Sequence, residues 1–124
     1  MKYPFIWVDA FTNTKFSGNP CAVVLEAGNL STESMQTIAK EFNLPETAFV
    51  TDTQGQDVWA RYFTPAEEIP MAGHPTISTI FSLVNEGVFN SKIDRIQLHL
   101  PAGIFPIEIK NEQGDISVTM VQQA

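Results

Sequence analysis

The segment 76–87, TISTIFSLVNEG, constrains the fold more than any other stretch. Its apolar residues Ile77, Ile80, Phe81, Leu83 and Val84 spread around most of a helical circumference, and the remaining positions are largely small Thr and Ser. A helix that is apolar on nearly all sides has no wet face to offer, so it must be enclosed by other elements. Gly87 suits the C-cap.

The flanking segments are of the kind that can do the enclosing. Residues 3–8, Cys21–Leu25, TAFVTD (47–52), DVWARYFT (57–64), RIQLHL (95–100), IFPIEIK (104–110) and DISVTMV (115–121) read as strands. Thr53-Gln54-Gly55-Gln56 makes a hairpin turn, and Asn111–Gly114 a second. NLSTESMQTIAKEFNL reads as an outer helix, with Ser31 as N-cap and Leu30 and Met35 as a hydrophobic staple. Met35, Ile38, Ala39 and Phe42 give it one buried face, and Pro45 stops it. Met71, Trp7 and Trp59 read as core, and Glu67 and Glu68 as a solvated loop. About seven strands placed before and after one enclosed helix predict an α+β fold, a curved antiparallel sheet wrapped around a central helix.

At 124 residues the chain reads as a single domain, 1–124, long enough for one core. A net charge of -7, with its seven Lys and Arg scattered, argues against nucleic acid and anionic membrane surfaces. The single cysteine, Cys21, excludes an intrachain disulfide, and no His/Cys/Asp cluster has metal-ligand spacing. No stretch reads as a membrane span or a signal peptide, which makes a cytoplasmic protein the expectation.

Two places carry chemistry. Glu46 stands between Pro45 and the apolar run Ala48-Phe49-Val50, where a helix gives way to a strand. Shielding there would raise its proton affinity and suit it to exchange a proton with carbon; a solvated loop glutamate is the plain alternative. Gly73-His74-Pro75 opens the enclosed helix. A helix N-terminus offers unpaired N–H groups and partial positive charge to a carboxylate or oxyanion. Gly73 permits close approach of a ligand, and Pro75 is tolerated in the first turn. A neutral His74 could donate a hydrogen bond to a substrate; a capping histidine with a structural bond is the plain alternative.

Three motifs, VDAFTNTKFSGNPCAVVL, EFNLPETAFV and FTPAEEIPMAGHPT, at compatible spacing resemble the N-terminal half of the PhzF-like family of phenazine biosynthesis, which shares its fold with diaminopimelate epimerases and proline racemases. The resemblance implies two pseudo-symmetric halves, each a curved sheet around a helix, with the active site in the cleft between them. It implies that Glu46 is the acid/base of an allylic isomerisation, that Gly73 and His74 bind a small carboxylate substrate, and that no cofactor or metal takes part. Asn19 of Gly18-Asn19-Pro20 could present its amide to the same cleft, although a simple turn serves as well.

The fold's racemases use a cysteine just before the helix glycine. Here that position is Ala72, and Cys21 reads as an inert core thiol, so a two-cysteine mechanism is disfavoured. The family's other half supplies an Asp-x-Ala-Thr-Gly-Ser motif that this sequence lacks. The chain alone is therefore expected to be inactive, and to pair with a missing C-terminal half or with a second copy as a homodimer. A carboxylate-binding or self-associating module without turnover is the alternative.

Overall fold

The computed structural model describes residues 5–9, 20–85, 87, 89, 93–112 and 115–120, without the side chains of 5–9, 20, 73, 74, 78, 85, 111, 112, 115 and 116. Eight strands and two helices follow one another as β1 (Phe5–Asp9), β2 (Pro20–Val24), α1 (Thr32–Phe42), β3 (Glu46–Gln54), β4 (Asp57–Phe63), β5 (Glu68–Ile69), α2 (Gly73–Asn85), β6 (Arg95–Leu100), β7 (Gly103–Glu112) and β8 (Asp115–Met120). All eight strands join one sheet in the order β1-β2-β3-β4-β6-β7-β8, with the short β5 on β4.

The sheet curls around α2, as the apolar circumference of that helix demands. The helix touches β1, β2 and β3 at one end of the sheet and β8 at the other. Ile80 and Leu83 are buried against Val23, Ala48, Val50, Val58, Tyr62 and Leu98. Thr76, Thr79 and Ser82, one turn apart, are almost completely buried too. Their small side chains let the surrounding strands come close.

The sheet is mixed rather than wholly antiparallel. β2 pairs with β3 and β4 with β6 in parallel, and the other pairings are antiparallel. Each parallel pair is separated in sequence by a helix, α1 or α2, the long crossover that parallel neighbours require.

Strand alternation sorts the core into two layers. Cys21 and Val23 of β2, Ala48 and Val50 of β3, and Ala60 and Tyr62 of β4 face α2. Val24, Phe49 and Phe63 face the other way and pack with Met35 and Ala39 of α1. The α1 signals act as read. Ser31 Oγ accepts from the Ser34 amide at 3.1 Å, and Glu33 and Lys40 sit at the helix ends that favour their charges. The helix ends on Asn43, in left-handed conformation (φ 52°) with its amide donating to Ala39 O, two residues before the expected stop at Pro45.

Three expectations fail locally. Trp59 is half-buried on the outer face, stacked on His99 with ring centroids 4.3 Å apart, and His99 Nε2 lies 2.9 Å from Asp57 Oδ1. Met71 is 38% exposed. Glu68 is not a free loop residue: it pairs in β5, and its two carboxylate oxygens accept from Arg61 Nε and an Arg61 terminal nitrogen at 2.8 and 2.7 Å. That bond holds the guanidinium above its ordinary proton affinity. Glu67 is exposed as expected.

The loop entering α1 is fastened to β3. The Ala27 amide donates to Val50 O at 2.8 Å, and a Cβ on Gly28 would stand 2.7 Å from the Thr51 carbonyl oxygen. That oxygen is backbone and cannot swing aside. Gly28→Ala is expected to cost about 1–3 kcal/mol by overpacking, read as a lower urea midpoint at unchanged slope.

Candidate functional site

The chain leaves α1 through Asn43, and Glu46 is the first residue of β3. Because alternate side chains of a strand share a face, Glu46 lies on the side of Ala48 and Val50, the side that packs on α2. Its register partner on β2 is Cys21, which belongs to the same layer. Ala48 is opposite Tyr62 on β4, which makes Glu46 and Tyr62 diagonal neighbours on one face, within reach of a long side chain. Glu46 is half-buried, so it stands at the rim of this layer rather than in bulk solvent.

Tyr62 joins that rim to the beginning of α2. Its ring is fully buried and its hydroxyl lies 2.8 Å from Thr76 Oγ1. Thr76 Oγ1 in turn donates to Ala72 O at 2.8 Å. A carbonyl can only accept, so the single Thr76 proton is committed to Ala72. Tyr62 is therefore the donor to Thr76.

Burial pushes the phenol's proton affinity well above the ordinary tyrosine value. The Thr79 hydroxyl also faces the phenol but makes no well-formed hydrogen bond. The Cys21 thiol and the Glu46 carboxyl, both acting electrostatically on Tyr62, push it further up. Glu46 is thus an electrostatic neighbour of the phenol bonded to the first turn of α2.

Gly73 and His74 are the first two residues of α2, as the sequence suggests, three residues earlier than the segment from which the helix was read. The His74 side chain and all of Asn19 lie outside the described residues. No acidic side chain sits in the first turn of α2. The helix's N-terminal charge is therefore not neutralised by a carboxylate of its own turn.

The strand register sets Glu46 on the face that carries Tyr62, whose hydroxyl is bonded to the first turn of α2, and it groups Thr76 and Cys21 with them, which the sequence reading did not assign to the site. The signal for Tyr62 was present: Val58, Ala60 and Tyr62 alternate onto one face, and a buried phenol needs a hydroxyl or carbonyl partner.

A groove of about 270 Å³ lies elsewhere, along Leu25, Glu26, Val50, Asp52 and Leu83, toward the other end of α2. It carries two carboxylates and no basic side chain, which makes it a poor receptor for an anion. Among the described residues no group of three or more His, Cys, Asp or Glu converges as a metal site, and no helix is long and apolar enough to cross a membrane.

A curled sheet closed around one helix defines an epimerase-like α+β fold. The hydroxyproline epimerase of Agrobacterium vitis, solved with trans-4-hydroxy-L-proline, matches it with a TM-score of 0.67 over 96% of this chain and 41% of its own, at 12% identity. At that identity the likeness speaks for the fold alone.

The sequence matches the family described as phenazine biosynthesis-like protein (PhzC-PhzF) over residues 8–124, and the chain belongs to that family. The PhzF-family phenazine biosynthesis protein of Bacillus anthracis superposes with a TM-score of 0.83 at 37% identity, covering 97% of this chain and 40% of that one. The trans-2,3-dihydro-3-hydroxyanthranilate isomerase of Pseudomonas aeruginosa is 37% identical over 120 residues, 96% of this chain and 42% of that protein. The chain spans 40–42% of the length of such curated relatives.

Proposed function

We propose that this chain supplies the N-terminal half of a cofactor-independent isomerase or epimerase, cytoplasmic in location, that moves a proton on a small carboxylate. Glu46 is the acid/base. Its carboxylate takes a proton from a saturated carbon beside a double bond and returns it at the far end of the shifted double bond, leaving the atom count unchanged. The observation that carries this reading is the placement of Glu46 on the helix-facing side of β3, electrostatically coupled to the phenol that is bonded to the first turn of α2.

The unneutralised start of α2, at Gly73 and His74, suits the substrate carboxylate, with Asn19 as a further contact. A relative 37% identical to this chain is a trans-2,3-dihydro-3-hydroxyanthranilate isomerase, which supports an isomerase reaction on a small carboxylate here.

Half a cleft leaves the acid wet and the helix dipole screened, so turnover requires a second wall. The test is solvent deuterium incorporation into a dihydro-hydroxyanthranilate in D2O, by this chain alone and by this chain joined to the remaining length of the Bacillus anthracis relative. Expected are no incorporation alone and clear incorporation when joined. Binding of the carboxylate by the joined protein without any incorporation would replace the enzyme reading with a binding module. Sedimentation of the chain alone at high concentration tells whether a second copy takes the place of the missing wall.

A further inference from the structure

Three residues, Pro70, Met71 and Ala72, separate β5 from Gly73, the first residue of α2. β5 is only two residues long and pairs with β4 at two positions, too short a ladder to keep its place unaided. Its two side chains point to opposite faces of the sheet. Ile69 packs against the layer around α2, and Glu68 meets Arg61 on the other side.

Arg61 joins three elements. Its Nε and one terminal nitrogen donate to the two Glu68 oxygens at 2.8 and 2.7 Å, a fork that fixes orientation as well as distance. The same terminal nitrogen donates to Thr32 Oγ1, on the first residue of α1, at 3.1 Å. One turn further along α1, the Gln36 side-chain amide donates to the Thr64 and Pro65 carbonyls at 3.0 and 3.2 Å. The beginning of α1 thus grips the turn that leads from β4 into β5. Downstream, the Ala102 amide donates to the Pro70 carbonyl at 3.3 Å, and Ala72 packs on the core.

We infer that the Arg61–Glu68 pair is a positioning clamp: it sets the backbone of Gly73 and His74, at the start of α2, for the substrate carboxylate. This rests on the carboxylate role proposed for that helix start and deepens it. An anion held by a few backbone N–H groups binds weakly once they shift by about an ångström. An ordinary exposed ion pair would be a poor device for preventing such a shift. This pair is bidentate, its side chains are 29% and 26% exposed, and it is bonded to α1 as well. Arg95–Glu108 makes the contrast: a 3.5 Å contact, 57% and 46% exposed, between strands already paired at six positions. Glu46 belongs to β3, outside the clamped segment, so the clamp acts on binding and not on proton transfer.

The first experiment measures backbone order by nitrogen-15 relaxation in the 124-residue chain, for the wild type, Arg61→Lys, Glu68→Gln and the control Arg95→Lys. Lys keeps the charge but cannot form the fork, and Gln keeps the shape without the charge. Order parameters at Ile69, Met71, Gly73 and His74 are expected to fall from about 0.85 to about 0.6 in both clamp variants. Those of β3 and β7 should hold, and Arg95→Lys should change none of them. The second experiment measures turnover of a dihydro-hydroxyanthranilate by the protein carrying both halves. KM is expected to rise about tenfold in the clamp variants with kcat within about threefold of the wild type.

Unchanged order at Gly73 and His74 in both clamp variants would overturn the inference. So would a loss spread evenly over β3 and β7, which a merely stabilising pair would give. A fall in kcat with KM held would overturn it too. Both side chains are partly exposed, so neither change opens a core cavity; if one variant fails to fold, the other carries the comparison. Relaxation needs no turnover. Order lost at Gly73 and His74 beside an unchanged KM would uphold the clamp and move the carboxylate away from α2.

Discussion

Glu46→Gln, placed in the protein carrying both halves, is expected to lower deuterium incorporation by about 10²–10⁴-fold with substrate affinity changed far less. Gln keeps the shape of the side chain and a half-buried place at the start of β3, beside Cys21. It removes the ability to take up and release a proton. The binding determinants proposed on α2 belong to another element and are untouched, so the loss is expected in kcat rather than KM. A Gln variant within tenfold of the wild type would show that the proton is carried by another group, and would remove Glu46 from the mechanism. A loss confined to KM would make Glu46 a substrate contact instead.

The second large effect concerns the layer that turns away from α2. Phe49 is fully buried and meets Phe63 edge to face, with ring centroids 5.4 Å apart and planes at 86°. Together with Val24, Ala27, Met35 and Ala39 it forms the only buried cluster that holds α1 to the sheet among the described residues. Phe49→Ala is expected to cost about 3–5 kcal/mol, a large share of the roughly 5–15 kcal/mol that holds a domain of this size together. Urea denaturation followed by circular dichroism measures it.

Trp59→Ala makes the contrast. That side chain is half-buried and lies on a histidine rather than inside a closed layer, so its loss should be much smaller. Equal costs for the two variants would contradict the two-layer division of the core.

What was legible in the residues follows a physical rule. The α1 helix could be read almost to the residue, because capping and a one-faced stripe are contacts between residues three or four apart. The enclosure of α2 was legible because an all-round apolar helix excludes every architecture that leaves one side wet. Three sites in the chain were misjudged for the opposite reason. Nothing near Glu68 announces Arg61, which reaches it across β4 and β5. Nothing near Trp59 says that β6 will bring His99 beneath its ring. Met71 is apolar, yet it falls where no layer covers it. The parallel pairings were equally hidden, since pairing order is set by how crossovers pack and not by any strand's own pattern.

The candidate site divides along the same line. Glu46 and the start of α2 became candidates through motifs that resemble a known family, and their local setting, a carboxylate at a strand's first position and a glycine-histidine pair opening a helix, could be read from neighbouring residues. Their relation to each other was not local. The parallel register of β2 and β3, the antiparallel register of β3 and β4, and the Tyr62–Thr76 bond are contacts between residues far apart in the chain. Local chemistry determined which groups this protein possesses and which helix must be wrapped. Only the closing of the sheet decided which of them meet, since side chains 14 to 30 positions apart, such as Glu46, Tyr62 and Thr76, share no constraint until tertiary packing supplies it.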